Sequence, residues 1–443
     1  MNQLTNYKYK IDFLISNDTY LSQQTETILK PKVKRKIYEK CNECNKRRRP
    51  LDESHQICRI CYNMKITFKP SGNKIVDDFI RYTQINLVKK EGKLKFVPYD
   101  EFKDIEFIAE GGFSKIYKAT WIDGLIGFYR KNTISNLSFT VVLKKLNNSK
   151  NITSKELNEL KIFYNYYTKW RLNSEKVSHY LTKNNYISNY FGITQDLITQ
   201  DFMIIMPYYS KGDLIRYISN NFYNINWASK LINLKNIANG LINIHNLDII
   251  HRDLHSGNIF FENPIYPHIG DLGISKSATE STDNNENYGI IPYMAPEIFQ
   301  GQKYTKASDI YSFGMIMWEF MTGRRPFWDR NHDTYLIIDI IDGLRPPIVT
   351  YAPEGFTELM IECWDSNPDK RPTADDIYSR ICEMYRKEGL NSPTKIIESS
   401  DIGPVQKNNP GAIYKSRPLS AMINSAMSLR SLRSRSINLE KVK

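Results

Sequence analysis

No stretch of this chain holds the roughly 18 consecutive apolar residues that a bilayer-spanning helix needs. The first residues, Met1-Asn2-Gln3-Leu4-Thr5-Asn6, are polar and lack the apolar core of a secretory signal. Both lacks point to a reduced, intracellular setting, cytoplasmic with the nucleus left open. Cysteine is scarce, six in 443 residues, which argues against a disulfide scaffold. Hydrophobic residues make up 41%, slightly low, so part of the chain is expected to stay unpacked. Acidic residues are outnumbered, 48 against 61 Lys and Arg, for a net charge of +13. The excess sits at the ends. Residues 30–69 carry 13 Lys/Arg against 4 Asp/Glu, residues 388–443 carry 9 against 4, and the middle is near neutral. Basic ends admit anionic partners (acidic protein surfaces, nucleic acid or lipid) or are plain solvated charge.

Four of the six cysteines fall within 21 residues. Cys41 and Cys44 form one C-x-x-C pair, Cys58 and Cys61 another, with 13 residues between the pairs. Each pair can present two thiolates from one knuckle turn, and two knuckles close a tetrahedral structural zinc site without an open position for catalysis. So small a segment has little core, so the metal would supply much of its folding energy. The alternative is four ordinary thiols. The basic runs Lys32–Lys36 and Lys46–Arg49 read either as import or phosphate-binding signals or as a solvated rim. Cys363 and Cys382 read as core residues.

Further along, strand-forming residues flank a glycine pair from Phe107 onward, a hairpin with a tight turn: Ala109, Glu110, Gly111, Gly112, Phe113, Ser114 and Ile116. A turn with little side-chain bulk lets backbone N–H groups approach phosphate. Ser138 to Lys145 is a β run ending in two lysines, with Val142, Lys144 and Lys145 alternating across its faces. Thr153 and Glu156 have capping-box spacing and open a helix to about Trp170 that carries Glu159. Asp201 to Tyr209 reads as a buried strand running into an extended segment with Met206, Pro207, Tyr208 and Tyr209. At His251–Asn258, H-R-D-L-H-S-G-N, an aspartate and an asparagine five residues apart can come from one short loop, one to take a hydroxyl proton and one to hold magnesium. Asp271 follows in His268-Ile269-Gly270-Asp271-Leu272-Gly273, and Met294-Ala295-Pro296-Glu297, Asp309 and Arg371 complete the series.

In this order and spacing the series resembles the protein kinase superfamily, from about Phe102 to Lys387. The wording H-R-D-L-H-S-G-N with M-A-P-E looks most like tyrosine-kinase-like kinases, and the C-x-x-C pairs ahead of it resemble kinases of large fungal expansions. The resemblance implies a bilobal α+β fold, with a sheet-based first lobe and a helical second lobe. It implies ATP and Mg2+ as cofactors. The glycine turn (Ala109 to Ser114, with Ile116), Val142, Lys144, Glu159, Met206, Tyr208 and Tyr209 would surround the nucleotide. Lys144, paired with Glu159, would hold its phosphates, and Asn258 and Asp271 the metal. Asp253 would orient the acceptor hydroxyl, and Arg252 would meet a phosphorylated activation segment over 274–292, where Ser277, Thr279, Ser281, Thr282 and Tyr288 are candidates. Glu297 and Arg371 would form a structural ion pair, and Asp309 would support the catalytic loop.

The chain departs from the pattern at Ala109, Ser114, Ile116 and Leu272. His255 stands where Ser/Thr kinases place lysine, and Ile290 where they place Thr or Ser after the glycine. These departures blur the acceptor, with Ser/Thr favoured over Tyr. The expected organisation is an N-terminal segment 1–30, a zinc-ribbon-like basic module 31–69, a linker 70–100, the kinase domain 101–387, and an unstructured Ser/Arg-containing tail 388–443 open to autophosphorylation. The competing functions are a pseudokinase scaffold, supported by the same departures, and a nucleic-acid- or protein-binding adaptor acting through the cysteines. Loss of ATP turnover in Asp253→Asn separates the first from an enzyme; steeply salt-dependent RNA or DNA binding by residues 30–69 marks the second.

Overall fold

The computed structural model describes residues 38–51, 56–86, 93–112, 114–122, 139–174, 186–277, 286–390 and 393–440. The chain divides into two compact units, Met1–Arg59 and Ile60–Lys443. In the first, the backbone folds back twice, through bridges Lys40↔Arg47 and Pro50↔Cys58. The Asn45 N–H closes the first turn on the Cys41 carbonyl at 2.8 Å, with Asn45 itself at φ 53°. Asparagine tolerates that left-handed conformation better than most residues. The 1–30 segment and the Lys32–Lys36 run lie outside the described residues.

Helix α1 (Arg59–Thr67) leads to α2 (Lys74–Asn86), which Asn73 caps by accepting from the Ile75 and Val76 N–H groups. A six-stranded sheet follows, built from β1 (Lys95–Phe96), β2 (Phe102–Glu110), β3 (Ser114–Trp121), β4 (Phe139–Leu146), β5 (Gly192–Gln195) and β6 (Phe202–Pro207), in the order β1-β5-β6-β4-β3-β2. Strand alternation sorts β4. Val141 and Leu143 enter a small apolar cluster with Phe102, Trp121 and Phe191 on one face, while Val142 and Lys144 face the other way. That second face is covered by α3 (Asn158–Ser174).

The 70–100 segment is no linker. Val76 and Ile80 of α2 are fully buried, Phe79 and Tyr82 meet Tyr164 of α3 edge-on, and β1 pairs in parallel with β5. The apolar spacing of α2 gives it one face to bury, and α3 offers the matching surface. The segment is therefore part of the first lobe. The capping bonds of Thr153 and Glu156 are present, but the regular helix starts only at Asn158.

The second lobe is helical. Helices α4 (Leu214–Asn221), α5 (Trp227–His245), α6 (Pro296–Phe299), α7 (Lys306–Thr322), α8 (Thr334–Ile341), α9 (Phe356–Cys363) and α10 (Ala374–Leu390) surround α5 and α7, whose residues are mostly buried. Short strand pairs carry the loops: β7 (Ile249–Ile250) with β10 (Lys276–Ser277), and β8 (Ile259–Phe261) with β9 (Pro267–Ile269). Cys363 is fully buried as expected; Cys382 is only half-buried.

The tail is the larger correction. Residues 393–440 are not unstructured. They run along the second lobe, add β12 (Arg417–Pro418) to β11 (Tyr288–Gly289), and end in α11 (Ser420–Glu440). Ile402, Leu419, Ile423 and Ala426 are buried, and α11 lies on α8. Four well-spaced apolar side chains and a run of backbone hydrogen bonds offset the ordering entropy that the polar composition suggested would win.

Candidate active site

The hairpin β2–β3 turns through Gly111 and Gly112, with Ala109 opposite Ile116 and Glu110 opposite Lys115. The Gly111 N–H closes the turn on the Ser114 carbonyl at 2.7 Å. Phe113 lies outside the described residues. Beneath the turn, β4 presents the Lys144 ammonium to two carboxylates at once, Glu159 at 2.9 Å and Asp271 at 2.8 Å. Glu156 remains the cap, so of the two glutamates on the sequence it is Glu159 that reaches the lysine. Lys145, on the opposite face, is not a solvated edge charge; it is buried and pairs with Asp196 at 2.7 Å.

Burial alone would lower the Lys144 ammonium, but Asp271 and Glu159 together hold it above its ordinary value. Burial raises the Glu159 carboxyl more than Lys144 lowers it. Asp271 is held below the usual carboxylate range because Lys144, with the Gly273 N–H, outweighs its burial. Its side chain keeps 38% exposure, with Oδ1 accepting from Lys144 and from the Gly273 N–H. Tyr190, which sequence reasoning missed, donates to the second Glu159 oxygen at 2.8 Å. Asn158 ties α3 to the Gly273 and Ser275 carbonyls at 2.9 and 3.1 Å. A tyrosine on the approach to β5 carries no motif that would have flagged it.

The catalytic-loop stretch is held from below. Asp309 of α7 accepts from the His251 N–H at 2.8 Å, the Arg252 N–H at 2.9 Å, and bonds the His245 ring at 2.9 Å. Arg252 and Asp271 both sit in the left-handed region, at φ 73° and 55°. Such conformations cost about 1–3 kcal/mol each and persist where surrounding bonds fix them. Asn258 donates from its amide to the Asp253 carbonyl at 2.9 Å, and its own carbonyl accepts from the Gly270 N–H at 2.8 Å. Those two bonds bring Asp253, Asn258 and Asp271 into one cluster. The His255 Nδ1 accepts from the Gly257 N–H at 3.0 Å, which turns Nε2 to within 3.7 Å of the Asp253 carboxylate. The Arg252 guanidinium lies over the Tyr304 ring at 4.4 Å. Its expected partners Thr279, Ser281 and Thr282 lie outside the described residues, as does the Ser277 side chain.

Below the loop, Ser256 and Tyr293 donate to buried Glu319 at 2.9 and 2.7 Å. Burial pushes that carboxyl up to about 7. Glu297 and Arg371 form a doubly bonded pair at 2.8 and 2.7 Å. Met206 is buried on β6 opposite Val142 of β4, and Tyr208 and Tyr209 follow where the chain leaves β6, Tyr209 stacked on Phe260.

The chain matches the family described as protein tyrosine and serine/threonine kinase over residues 102–381. It belongs to that family. Among curated relatives, it is 33% identical over 211 residues to the probable serine/threonine-protein kinase roco5 of Dictyostelium discoideum, 44% of this chain and 7% of that protein. It is 31% identical over 220 residues to the dual specificity protein kinase splA of the same organism, 45% of this chain and 9% of that protein. A third, the stress-activated protein kinase alpha of Dictyostelium discoideum, is 27% identical over 338 residues, 73% of this chain and 48% of that protein. The chain thus spans about half or less of each of these relatives. Among the described residues no helix is long and apolar enough to cross a membrane.

The family implies ATP and Mg2+, and the residues present fit both. A partly exposed, ionised Asp271 beside the Asn258 amide offers the hard oxygen ligands magnesium takes, and a charged Lys144 beneath a turn that opens with two glycines suits phosphate. Separately, the sulfurs of Cys41, Cys44, Cys58 and Cys61 lie within 4.8 Å of one another, with Cys44 and Cys58 3.9 Å apart. Tetrahedral thiolate–zinc geometry needs sulfurs about 3.8 Å apart, so the four fit that ion. Burial raises the Cys41 thiol, but N–H groups of Cys58, Cys44 and Glu43 outweigh it and bring it down to about 7, near the thiolate a metal binds.

Proposed function

We propose that the chain is an active protein kinase that transfers the γ-phosphoryl group of ATP to serine or threonine hydroxyls of protein substrates. The observation that carries it is the complete Lys144–Glu159–Asp271 linkage, formed at 2.9 and 2.8 Å beside Asp253 and Asn258. An intact set of this kind favours catalysis over a pseudokinase scaffold. Lys144 would hold the phosphates, with Glu159 fixed by Tyr190 and fixing the lysine in turn. Asp271 and Asn258 would hold magnesium, which when bound neutralises phosphate charge. The Asp253 carboxylate would orient the acceptor hydroxyl and take its proton, with the His255 ring N–H directed at the same carboxylate. Here positioning and electrostatics do most of the work.

The Ser/Thr preference follows the names of the relatives, one of which is dual in specificity. The finer placement among tyrosine-kinase-like kinases of the fungal-expansion type rests on the wording of the catalytic loop and on the C-x-x-C pairs. The four-cysteine cluster would hold structural zinc, in the reduced intracellular setting that free thiolates require. The test is ADP release with a mixed Ser/Thr/Tyr peptide library, with phosphoamino-acid analysis of the products. Phosphoserine or phosphothreonine is expected; phosphotyrosine alone would overturn the acceptor assignment, and phosphate on neither peptide nor the chain itself would overturn the enzyme.

A further inference from the structure

Beyond residue 381, where the family match ends, the chain does something the kinase fold does not require. The strap 393–440 crosses the mouth of the cleft. It is tied down before the crossing: the His332 N–H donates to the Gly411 carbonyl at 2.8 Å, the Tyr414 hydroxyl to the Pro326 carbonyl at 2.9 Å, and Arg417 to the His332 carbonyl at 2.8 Å. It is tied down again after it: the Leu419 N–H donates to the Asn287 carbonyl at 2.8 Å, and Ser420 Oγ accepts from the Asn287 N–H at 2.9 Å. Arg430 then pairs with Asp342 at 2.8 Å.

Between those anchors, β12 pairs antiparallel with β11, Arg417 opposite Gly289 and Pro418 opposite Tyr288. Gly289 is the floor beside the acceptor carboxylate: a Cβ built on it would lie 3.9 Å from Asp253 Oδ1. One residue before Arg417, the Ser416 carbonyl rests on the glycine turn, so close that a Cβ on Gly112 would overlap it. Ser416 thus lies against the phosphate-binding turn and is the chain neighbour of Arg417, which pairs with the Gly289 beside Asp253. Its hydroxyl is shut off from solvent yet has no hydrogen-bond partner among the described residues. A buried hydroxyl left unsatisfied is costly and calls for a reason. Its neighbours are not free to serve: Tyr414 is bonded to Pro326, and Ser420 is held by Asn287.

We infer that the strap is a substrate strand supplied by the chain itself, and that Ser416 is a phosphoacceptor modified in cis. The inference rests on the kinase reading above. Ser416 Oγ bonds to the γ-phosphorus of ATP, the bond from that phosphorus to the bridging oxygen of the β-phosphate breaks, ADP leaves, and the hydroxyl proton passes to Asp253. While unmodified, the strap also excludes other protein substrates from the same cleft. Addition of a dianionic phosphate near the Asp253 carboxylate weakens that hold by like-charge repulsion.

The test incubates the full-length chain with Mg-ATP and the mixed peptide library together, with sites mapped by mass spectrometry over a wide range of protein concentration. Expected are phosphate on Ser416 at a first-order rate independent of concentration, as an intramolecular step requires, its loss in Ser416→Ala, and its retention in Ser416→Thr. Phosphorylated library peptides with Ser416 unmodified would overturn the strap proposal while leaving the kinase reading standing; no phosphate anywhere would remove both. A Ser416 rate that rises with protein concentration would overturn the cis placement. Without nucleotide, hydrogen exchange gives an independent reading. The Leu419 amide is expected to exchange at least tenfold slower than an unstructured amide, and an unprotected rate there would show that the strap does not hold the cleft.

Discussion

At the scale of single residues, one buried ammonium ties two elements together: Lys144 holds Glu159 at 2.9 Å and Asp271 at 2.8 Å. Lys144, Glu159, Asp253, Asn258 and Asp271 could be picked out because motif order fixes them, and the structure brings them into one cleft. Tyr190, Asn158 and Glu319 could not, because each acts through a contact between elements distant in the chain. Glu319 gives the clearest pH signature. Its carboxyl rises to about 7 in the fold from an ordinary 4.5. The native state therefore holds a proton that the unfolded chain releases, so the group's stabilising contribution is full below about 4.5 and is lost as pH rises through about 7. The span corresponds to about 3 kcal/mol. Glu319→Gln, which cannot ionise, is expected to show a flatter melting temperature between pH 5 and 8 than the wild type. Parallel pH profiles for the two proteins would show that this carboxyl does not titrate there.

Elements were legible where periodicity was strong. The hairpin and the β4 strand follow their patterns, the helical second lobe follows from the family resemblance, and the Glu297–Arg371 pair that joins α6 to the approach of α10 follows the family's spacing. Element roles were less legible. Helix α2 has apolar spacing that announces a helix but not what it packs on, so 70–100 read as a linker; the aromatic contacts to Tyr164 make it a brace for α3, which carries Glu159. Truncation of fully buried Ile80 to Ala is expected to cost about 2–5 kcal/mol and to lower ATP affinity with it, since α3 loses its outer support. A true linker residue would tolerate the change in both thermal melting and nucleotide binding.

At the scale of the whole molecule, composition misled about the C-terminal tail. Ser- and Arg-rich sequence signals weak cohesion, yet Leu419, Ile423 and Ala426 suffice when the second lobe supplies the complementary surface. The cysteine cluster was legible from spacing alone, because C-x-x-C pairs leave few other geometries. Its metal dependence is open to a direct check. Removal of metal with a strong chelator is expected to release about one zinc per chain and to expose residues 38–51 and 56–61 to protease, because so small a segment folds largely on its metal. Retained protection with four freely alkylated thiols would mean that no metal is held there.

The measurement closest to the central claim is label transfer from γ-labelled ATP to protein acceptors, wild type beside Asp253→Asn under identical Mg2+. Labelled serine or threonine is expected with the wild type and a fall of about 10²–10⁴-fold in the variant, with both proteins melting alike. Equal labelling by the two would contradict the role given to Asp253. An unlabelled wild type that still binds ATP would leave a kinase fold without the reaction.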